Sequence, residues 1–461
     1  MSAGCSVVRL ALLCRAIAGV ERTAGLARHS LALWNNLSGW KLYRWLRISF
    51  EAALVNVCYS RQLVTATKDF YMEMAVGTPL TPNIPVQSSI LLCFSHLRWN
   101  FVFQRPQHIL TLASKQQQLI YFEEPIFDER RHASMRVNDV SPTIRIVTPI
   151  IPVGTSATKA DALQRRFVDQ IVASTPHERL TAWYYTPMAL RFSDHLAYDV
   201  CVYDCMDELS AFKNAPAELN QLEKALFQRA DIVFTGGQSL YEAKRSLHRS
   251  IFPFPSSIDV AHFHQAREPG EDSLDQANIP HPRVGYFGVI DERLDVELVA
   301  QAAAAMPDVH FVLLGPVVKI DPARLPTASN LHWLGGKSYA DLPRYLRHWS
   351  AGWMPFKLNE ATRYISPTKT PEFLAAGLPV VSTAIVDVVR TYGAEGLVDI
   401  VDAEDVEAKL RSILARPRDF LVEKVDAYLA DMSWEKTWNA MAAHIQRAYA
   451  MKSVVPLLRG A

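Results

Sequence analysis

The stretch SPTKTPEFLAAGLPVV, residues 366–381, decides the fold class of this 461-residue chain. Thr370 is placed to cap a short helix, with Pro371 at its first position and Glu372 in its first turn. Gly377 ends that helix, because glycine accepts the left-handed conformation that a helix C-terminus needs. The residues after it form an apolar run typical of a buried parallel strand. The stretch therefore predicts a short helix leading into the core of an α/β domain.

The start of this helix carries groups that suit a diphosphate. A helix N-terminus presents unpaired N–H groups and a partial positive charge to an anion. Lys369 adds a full positive charge at the same place, and Glu372 can accept hydrogen bonds from ribose hydroxyls. We therefore predict that Thr368, Lys369 and Glu372 bind the diphosphate and ribose of a nucleotide ligand.

Short apolar runs alternate with helical stretches on both sides of one polar segment. The alternation covers residues 88–266 and 283–430, and Arg267–Pro282 between them reads as an inter-domain linker. Such alternation predicts two Rossmann-like, doubly wound parallel-sheet domains of α/β class facing across a cleft. The predicted strands are Ile90–Phe94, Leu119–Phe122, Ala182–Tyr185, Val200–Tyr203, Ile232–Thr235, Arg283–Gly288, Val309–Gly315, Leu331–Leu334, Ala351–Pro355 and Pro379–Ser382.

Composition excludes several classes of protein. With 48 Lys and Arg against 47 Asp and Glu, the net charge of +1 gives no reason to expect a nucleic-acid partner. Six cysteines in so long a chain do not make a disulfide framework, so we expect buried, reduced thiols. The sequence contains no run of about 18 apolar residues, so we predict no membrane span. These features predict a cytoplasmic protein.

The N-terminal extension and linker, residues 1–87, differs from the rest. Residues 1–80 carry nine Lys or Arg and four acids, and the linker ends in the proline-bearing stretch Thr78–Pro85. Trp40–Cys58 has the periodicity of a basic amphipathic helix, which could lie peripherally on the inner face of an anionic membrane. Two alternatives stay open: the helix packs on the main body, or the native chain starts at a downstream methionine such as Met72 or Met74.

Four motifs, in order along the chain, give it a family resemblance. The helix-to-strand stretch, together with YFG at 286–288, LHWLG at 331–335 and FPFPSSID at 252–259, resembles the GT-B glycosyltransferases, and especially the family-4-like, group 1 enzymes. SHLRWNFVFQRPQH at 95–108 and VYDCMDELSAF at 202–212 resemble bacterial polysaccharide glycosyltransferases. The resemblance implies that residues 431–461 form a helix crossing back to the first domain, followed by a tail.

The resemblance has one departure. Family-4 enzymes often carry two glutamates eight positions apart, and Glu372 matches the second, but Tyr364 stands where the first would be. Retaining and inverting stereochemistry therefore both stay open. No Asp-x-Asp metal motif is apparent, and enzymes of this kind neutralise the leaving diphosphate with basic side chains and helix dipoles. We expect no metal and no cofactor beyond a UDP- or GDP-sugar substrate.

Loops at predicted strand ends supply the remaining candidate residues. Polar and acidic groups there would face the cleft, where a carboxylate with a raised pKa or a histidine can take a proton. The catalytic candidates are Asp207, Asp204 and His96, although Asp204 is equally plausible as a helix cap. The acceptor-binding candidates are Arg98 and Trp99. The donor-binding candidates, besides Thr368, Lys369 and Glu372, are Gly288, Arg293 and Arg363.

Together these features predict a glycosyltransferase that moves a sugar from a nucleoside diphosphate sugar to a polysaccharide or lipid-linked acceptor in envelope glycan synthesis. Two alternatives stay open. One is a GT-B relative that acts as a UDP-sugar 2-epimerase, and the other is a catalytically silent sugar-binding or scaffold protein.

Overall fold

The structure, a computed structural model, describes residues 89–418 and 420–459, with side chains up to residue 452. These residues belong to one compact unit. The predictions for the basic segment 1–80, the amphipathic stretch Trp40–Cys58 and the linker Thr78–Pro85 lie outside the described residues. Among the helices that are described, none is long and apolar enough to cross a membrane.

The first domain is built on a mostly parallel sheet. Its strands are β1 Ser89–Ser95, β2 Gln118–Glu123, β3 Ile126–Asp128, β4 Ser134–Ser141, β5 Ile144–Pro152, β6 Arg179–Tyr184, β7 Val200–Cys205, β8 Ile232–Thr235 and β9 Ile251–Pro253. They lie in the order β3-β5-β2-β1-β6-β7-β8-β9, and β4 pairs antiparallel with β5. The core strand β1 is apolar and almost fully buried, as a central parallel strand must be.

Helices cover both faces of this sheet. They are α1 Arg105–Ala113, α2 Ala157–Ser174, α3 Leu190–Ser193, α4 Leu219–Arg229 and α5 Gln238–Lys244, followed by α6 Val260–His264 on the way to the second domain. Pro106 lies in the first turn of α1, as predicted, where its missing N–H costs nothing. The Gln107 side-chain oxygen accepts the Gln104 N–H at 3.0 Å and closes the start of that helix.

The second domain is built on an all-parallel sheet. Its strands are β10 Arg283–Phe287, β11 His310–Leu314, β12 Leu331–Gly335, β13 Ala351–Met354, β14 Val380–Ser382 and β15 Asp399–Ile400, in the order β12-β11-β10-β13-β14-β15. Its helices are α7 Val296–Ala305, α8 Leu342–Leu346, α9 Lys369–Ala375, α10 Val386–Val388, α11 Val406–Leu414 and α12 Val422–Leu429. The predicted architecture of two Rossmann-like α/β domains is confirmed.

The last helix, α13, spans Trp434–Arg459 and packs on the first domain. Trp434, Trp438, Met441 and Ile445 belong to the same buried cluster as residues of β1, β2, β6 and α1. The Trp183 ring of β6 lies 6.4 Å from the Trp438 ring, centroid to centroid. The chain therefore returns from the second domain to complete the core of the first.

Some expectations need correction. Helix α9 begins at Lys369 with Thr368 as its N-cap, so Thr370 does not cap it. Thr370 is buried, and its hydroxyl points to the Met354 sulfur at 3.4 Å. Gly377 does end the helix, with a φ of +74°.

The segment Arg267–Pro282 is anchored on the second domain. Gln276 is fully buried, and its side-chain oxygen accepts the Trp349 indole N–H at 2.7 Å. Asp272 pairs with the buried Arg283 at 2.5 Å. This polar connection is therefore part of the second domain's packing and not a loose linker.

Candidate functional site

A cavity of about 590 Å³ opens between the carboxyl ends of the two sheets. Ligands of open α/β sheets bind at this edge, and the volume is that of a small-molecule site. We call it the cleft cavity. Its lining includes the charged residues Arg105, Asp207, Arg293, Lys337, Lys369 and Glu372, together with Trp99, Gly288, Tyr339 and Thr368.

Lys369 and Glu372 lie together on α9 in this lining. The Lys369 side chain crosses directly over Gly288, where a β-carbon would collide with it. Gly288 also has a φ of +137°, which side-chain-bearing residues rarely adopt. The Lys369 ammonium lies 6.0 Å from the centre of the Tyr286 ring. Glycine at position 288 is thus what allows the lysine to reach across the loop after β10.

Burial shifts the acid–base behaviour of this pair. It raises the pKa of the Glu372 carboxyl to about 7, and the positive charge of Lys369 offsets part of the rise. Burial also lowers the pKa of Lys369, and the charge of Glu372 opposes that change. Each residue therefore depends on the other to stay charged near neutral pH.

Arg293, another residue of the cavity lining, is fixed by its own loop. Its guanidinium donates to both oxygens of Asp291, at 3.0 and 2.7 Å. It also lies over the ring of Phe212, 5.3 Å from the centroid, and the Lys319 ammonium lies 4.6 Å from the same ring. Phe212 belongs to the first domain, so two cations of the second domain hold an aromatic ring from across the cleft.

Asp207 lines the cavity at the end of β7. Burial raises the pKa of its carboxyl, with nearby Arg293 opposing and Asp291 adding to the rise. A carboxylate with a raised pKa beside a cavity can act as a general base. The structure thus places the predicted residues Asp207, Lys369, Glu372, Arg293, Gly288, Thr368 and Trp99 around one space.

Asp204, three residues earlier, has a different environment. It is fully buried, and Arg105 donates to both of its oxygens at 2.9 to 3.2 Å. Arg105 also donates to the Phe254 carbonyl at 2.7 Å. Because Arg105 occupies both of its oxygens, Asp204 joins α1 to β7, and it does not line the cleft cavity.

His96 and Arg98 do not line the cleft cavity. The Nδ1 atom of His96 is buried and has no hydrogen-bond partner. Burial, and to a smaller extent the positive charge of Lys319, lowers the pKa of His96 to about 4. Arg98 turns to the end of β2, where it pairs with Glu123 at 3.0 Å. The imidazole is therefore neutral at physiological pH, and the guanidinium is occupied in its own domain.

Arg363 is also absent from the lining. Its side chain is 58% exposed and pairs with Glu360 at 3.6 Å. The neighbouring Tyr364, which stands in the place of the family's first glutamate, packs against the core of the first domain. Arg363 therefore lies outside the cleft cavity, and its role in donor binding stays a prediction.

Tyr339 is a lining residue that sequence reasoning missed. Its ring stacks between Phe103, at 4.6 Å, and His262, at 4.4 Å, and its buried hydroxyl has no partner. Burial, and then the charge of Glu372, raises its pKa. Arg105 and Lys337 were missed as well. No local pattern could have found these residues, since each is defined by partners far away in the chain.

Metal-ligating side chains do not cluster in the described ranges: no group of three or more His, Cys, Asp or Glu could hold an ion there. The described cysteines, Cys93, Cys201 and Cys205, are buried free thiols.

Comparison with known proteins finds a family match within the second domain. Residues 281–416 match the family model described as "Glycosyl transferases group 1". A Bacillus subtilis (strain 168) protein, TuaH, named as a candidate teichuronic acid biosynthesis glycosyltransferase, is 28% identical over 230 residues. The match covers 46% of this chain and 57% of that protein, so it spans little more than half the length of this curated relative.

Solved structures share the fold over most of the chain. Sucrose-phosphate synthase from Thermosynechococcus elongatus superposes with a TM-score of 0.62 at 17% identity, covering 79% of this chain and all of that one. WaaG, a glycosyltransferase involved in lipopolysaccharide biosynthesis, gives 0.55 at 14% identity, covering 77% of this chain and 98% of that one. The GT-B fold and the resemblance to group 1 glycosyltransferases are therefore confirmed.

Proposed function

We propose that this chain, which joins the GT-B fold to a group 1 glycosyltransferase match in its second domain, is a glycosyltransferase. The donor is a UDP- or GDP-sugar, and the acceptor is an envelope polysaccharide or a lipid-linked glycan. One observation carries the proposal: Lys369 and Glu372 lie together in the cleft cavity beside Gly288, inside the matched segment 281–416.

The donor would bind the second domain. Lys369 and Arg293 are the cations placed to neutralise its diphosphate, and such charges act more strongly once closure excludes water. Glu372 would accept hydrogen bonds from the ribose hydroxyls, which favours its ionised form. These three side chains can bind the donor without a metal ion, so we propose metal-independent transfer.

The acceptor would approach from the first domain, beside Trp99 and Asp207. Asp207 would take the proton of the acceptor hydroxyl as that oxygen bonds to the sugar's anomeric carbon. The bond from that carbon to the diphosphate breaks in the same transfer, and the nucleoside diphosphate leaves with the electron pair. Closure of the two domains would align the partners and exclude water.

Mass spectrometry of the full chain with a panel of nucleotide sugars tests this function. We expect a nucleoside diphosphate to form only when an envelope glycan acceptor is present, with the acceptor gaining the mass of one sugar. Asp207→Asn should abolish that gain, whereas Asp402→Asn, at an exposed position, should leave it intact. A free or altered sugar formed without acceptor would indicate an epimerase, and nucleotide-sugar binding without turnover would indicate a silent binding protein.

We also propose that the basic segment 1–80 gives the enzyme peripheral contact with an anionic membrane, where lipid-linked acceptors reside. Basic residues near such a surface each contribute about 1 kcal/mol. A chain starting at Met74 should bind UDP or GDP like the full chain but float less with anionic vesicles. Equal flotation would remove the membrane role.

A further inference from the structure

A second cavity, of about 320 Å³, lies within the first domain. It is bordered by the carboxyl ends of β1 and β2, by the segment after β6, and by the first half of α2. We call it the first-sheet cavity. Its lining includes Phe94, Phe122, Glu123, Glu124, Phe127, Asp161, Gln164, Arg191 and Phe192.

Aromatic rings form one side of this cavity. Phe192 lies 5.9 Å from Phe94 and 5.7 Å from Phe122, ring centre to ring centre. Phe127 at the rim is 51% exposed. Aromatic faces carry partial negative charge and attract the polarised C–H groups of a ligand. This wall therefore suits a ligand with a flat, non-polar face.

The opposite side holds a buried acceptor that lacks a donor. Gln164 is only 4% exposed, and its side-chain oxygen has no hydrogen-bond partner. Its amide nitrogen makes a long contact, 3.4 Å, to the Ala160 carbonyl of the same helix. Buried polar atoms are nearly always satisfied in folded proteins, so an unpaired one on a cavity-lining residue is an acceptor that a ligand hydroxyl can satisfy once the side chain turns towards it.

The neighbouring ion pair leaves further acceptor capacity. Arg191 donates to Asp161 through Nε at 3.0 Å and Nη2 at 2.7 Å, and both bonds fall on Oδ2. Asp161 Oδ1 therefore remains open to a hydroxyl donor. Arg191 also donates to Glu218 at 3.1 Å, so its charge is already shared between two carboxylates.

The charge of the lining selects the kind of ligand. Glu123, Glu124 and Asp161 are acidic, and Arg191 is the cation that faces them in the lining. Such a surface repels phosphate and carboxylate groups. An uncharged molecule with one apolar face and several hydroxyl donors fits all three observations, and a pyranose ring is that kind of molecule.

We propose that the first-sheet cavity binds an uncharged pyranose residue of the acceptor glycan, with its C–H face on the phenylalanine wall and its hydroxyls on Gln164 and Asp161. The identification of this glycan as the acceptor rests on the proposed function. The two cavities are neighbours: Glu123 borders the first-sheet cavity and accepts the backbone N–H of Trp99 at 2.8 Å, and Trp99 lines the cleft cavity. A glycan crossing the Arg98–Trp99 turn would occupy both.

The test is sugar binding by the full chain without nucleotide. Saturation-transfer NMR is carried out with the methyl glycosides of glucose, galactose, mannose and N-acetylglucosamine, and with methyl glucuronoside as the charged probe. Gln164→Met keeps the size of the side chain and removes its acceptor. Gln170→Met, at an exposed position of the same helix, is the matched control.

We expect at least one neutral glycoside to bind the wild type and the Gln170→Met protein equally, and the Gln164→Met protein about tenfold more weakly. The melting temperature of Gln164→Met should be unchanged or higher, because the substitution removes an unsatisfied buried oxygen. A purely structural glutamine would instead lose stability.

No transfer signal from any neutral glycoside, equal binding by Gln164→Met, or stronger binding of the glucuronoside would each overturn the proposal. Titration of the same proteins with UDP and GDP tests nucleotide binding, and thus the proposed donor site, independently of sugar binding. Absence of sugar binding by the wild type, with its nucleotide binding intact, refutes the first-sheet cavity alone. Sugar binding without any nucleotide binding refutes the donor site alone.

Discussion

The two cavities differ in charge and in how they are built. The cleft cavity draws on both domains and carries four cations, Arg105, Arg293, Lys337 and Lys369, against the two acids Asp207 and Glu372. The first-sheet cavity is formed by one domain and has three acids against one arginine. The same fold thus has one cavity whose charged lining residues are mostly cations, as the proposed diphosphate requires, and another whose charged lining residues are mostly acids. This contrast would keep the charged end of the donor away from a glycan held on the first domain.

Each cavity also has an arginine–aspartate pair, and the two pairs differ in exposure. The side chains of Arg105 and Asp204 are 2% and 0% exposed. Those of Arg191 and Asp161 are 30% and 23% exposed. Burial makes the first pair costly to break, because a charge left alone in the interior cannot be solvated. The second pair is partly solvated and replaceable.

The largest expected effect separates these two pairs. Asp204→Asn should lower the free energy of unfolding by about 3–5 kcal/mol, since Arg105 would keep its charge with only a neutral partner. Asp161→Asn should cost less than about 1 kcal/mol. Urea denaturation with matched m-values measures both. Similar losses in the two variants would mean that burial does not distinguish the pairs.

A second prediction tests the charge of the cleft cavity. Lys369→Met should weaken UDP or GDP binding about ten- to a hundredfold, since a charge-assisted hydrogen bond is worth about 1.5–3 kcal/mol. Arg191→Met removes a cation from the first-sheet cavity and should leave nucleotide affinity unchanged. Calorimetric titration of folded protein measures both. Equal weakening by the two variants would remove the distinction between the cavities.

A third prediction concerns the pH dependence of stability. The pKa of Glu372 is raised to about 7 from an ordinary value of 4.5, so the folded state binds more protons than the unfolded state between these values. Stability from this group is therefore lost as the pH rises from about 4.5 to about 7. Glu372→Gln should exceed the wild type in unfolding free energy by about 1–3 kcal/mol at pH 8, and the difference should vanish towards pH 4.5.

Denaturation curves across that pH range measure this difference. Glu360→Gln is the matched control, because Glu360 is 73% exposed and should show no such pH-dependent gain. A constant difference between Glu372→Gln and the wild type at every pH would contradict the raised pKa.

The smallest expected effect is none at all. If side-chain cations alone neutralise the diphosphate in the cleft cavity, transfer should continue at an unchanged rate in excess chelator. Nucleoside diphosphate release, followed with and without chelator, measures this. Loss of turnover that Mg²⁺ or Mn²⁺ restores would show that the cationic lining is insufficient.

Sequence patterns predicted the strands that are apolar along their whole length. The strands β1, β10 and β11 are buried on both faces of their sheets. Such strands appear in the sequence as nearly continuous apolar runs. The antiparallel pair β4 and β5 was missed. β4 is polar and largely exposed, and β5 contains Pro149, a residue that argues against a strand.

The candidate site was predictable only in part. Helix α9 and the YFG loop carry local motifs, so Lys369, Glu372 and Gly288 could be found. Asp204 and Asp207 are indistinguishable in sequence, because both are acids at one strand end. They differ in their contact with Arg105. This arginine, 99 residues before Asp204, pairs with the carboxylate of Asp204 but not with that of Asp207. The first-sheet cavity has no motif at all, since its walls come from five separate segments.

The crossing of α13 sets an order of events during synthesis. Trp434, Trp438 and Met441 complete a buried cluster that begins at β1 and includes α1, so part of one face of the first sheet stays uncovered while the second domain is being translated. At about 5–20 residues per second, that interval lasts roughly eight to thirty seconds. The domain made first is therefore finished last. A nascent chain stalled before residue 434 would expose this apolar face to chaperones, even with every strand of its sheet already made.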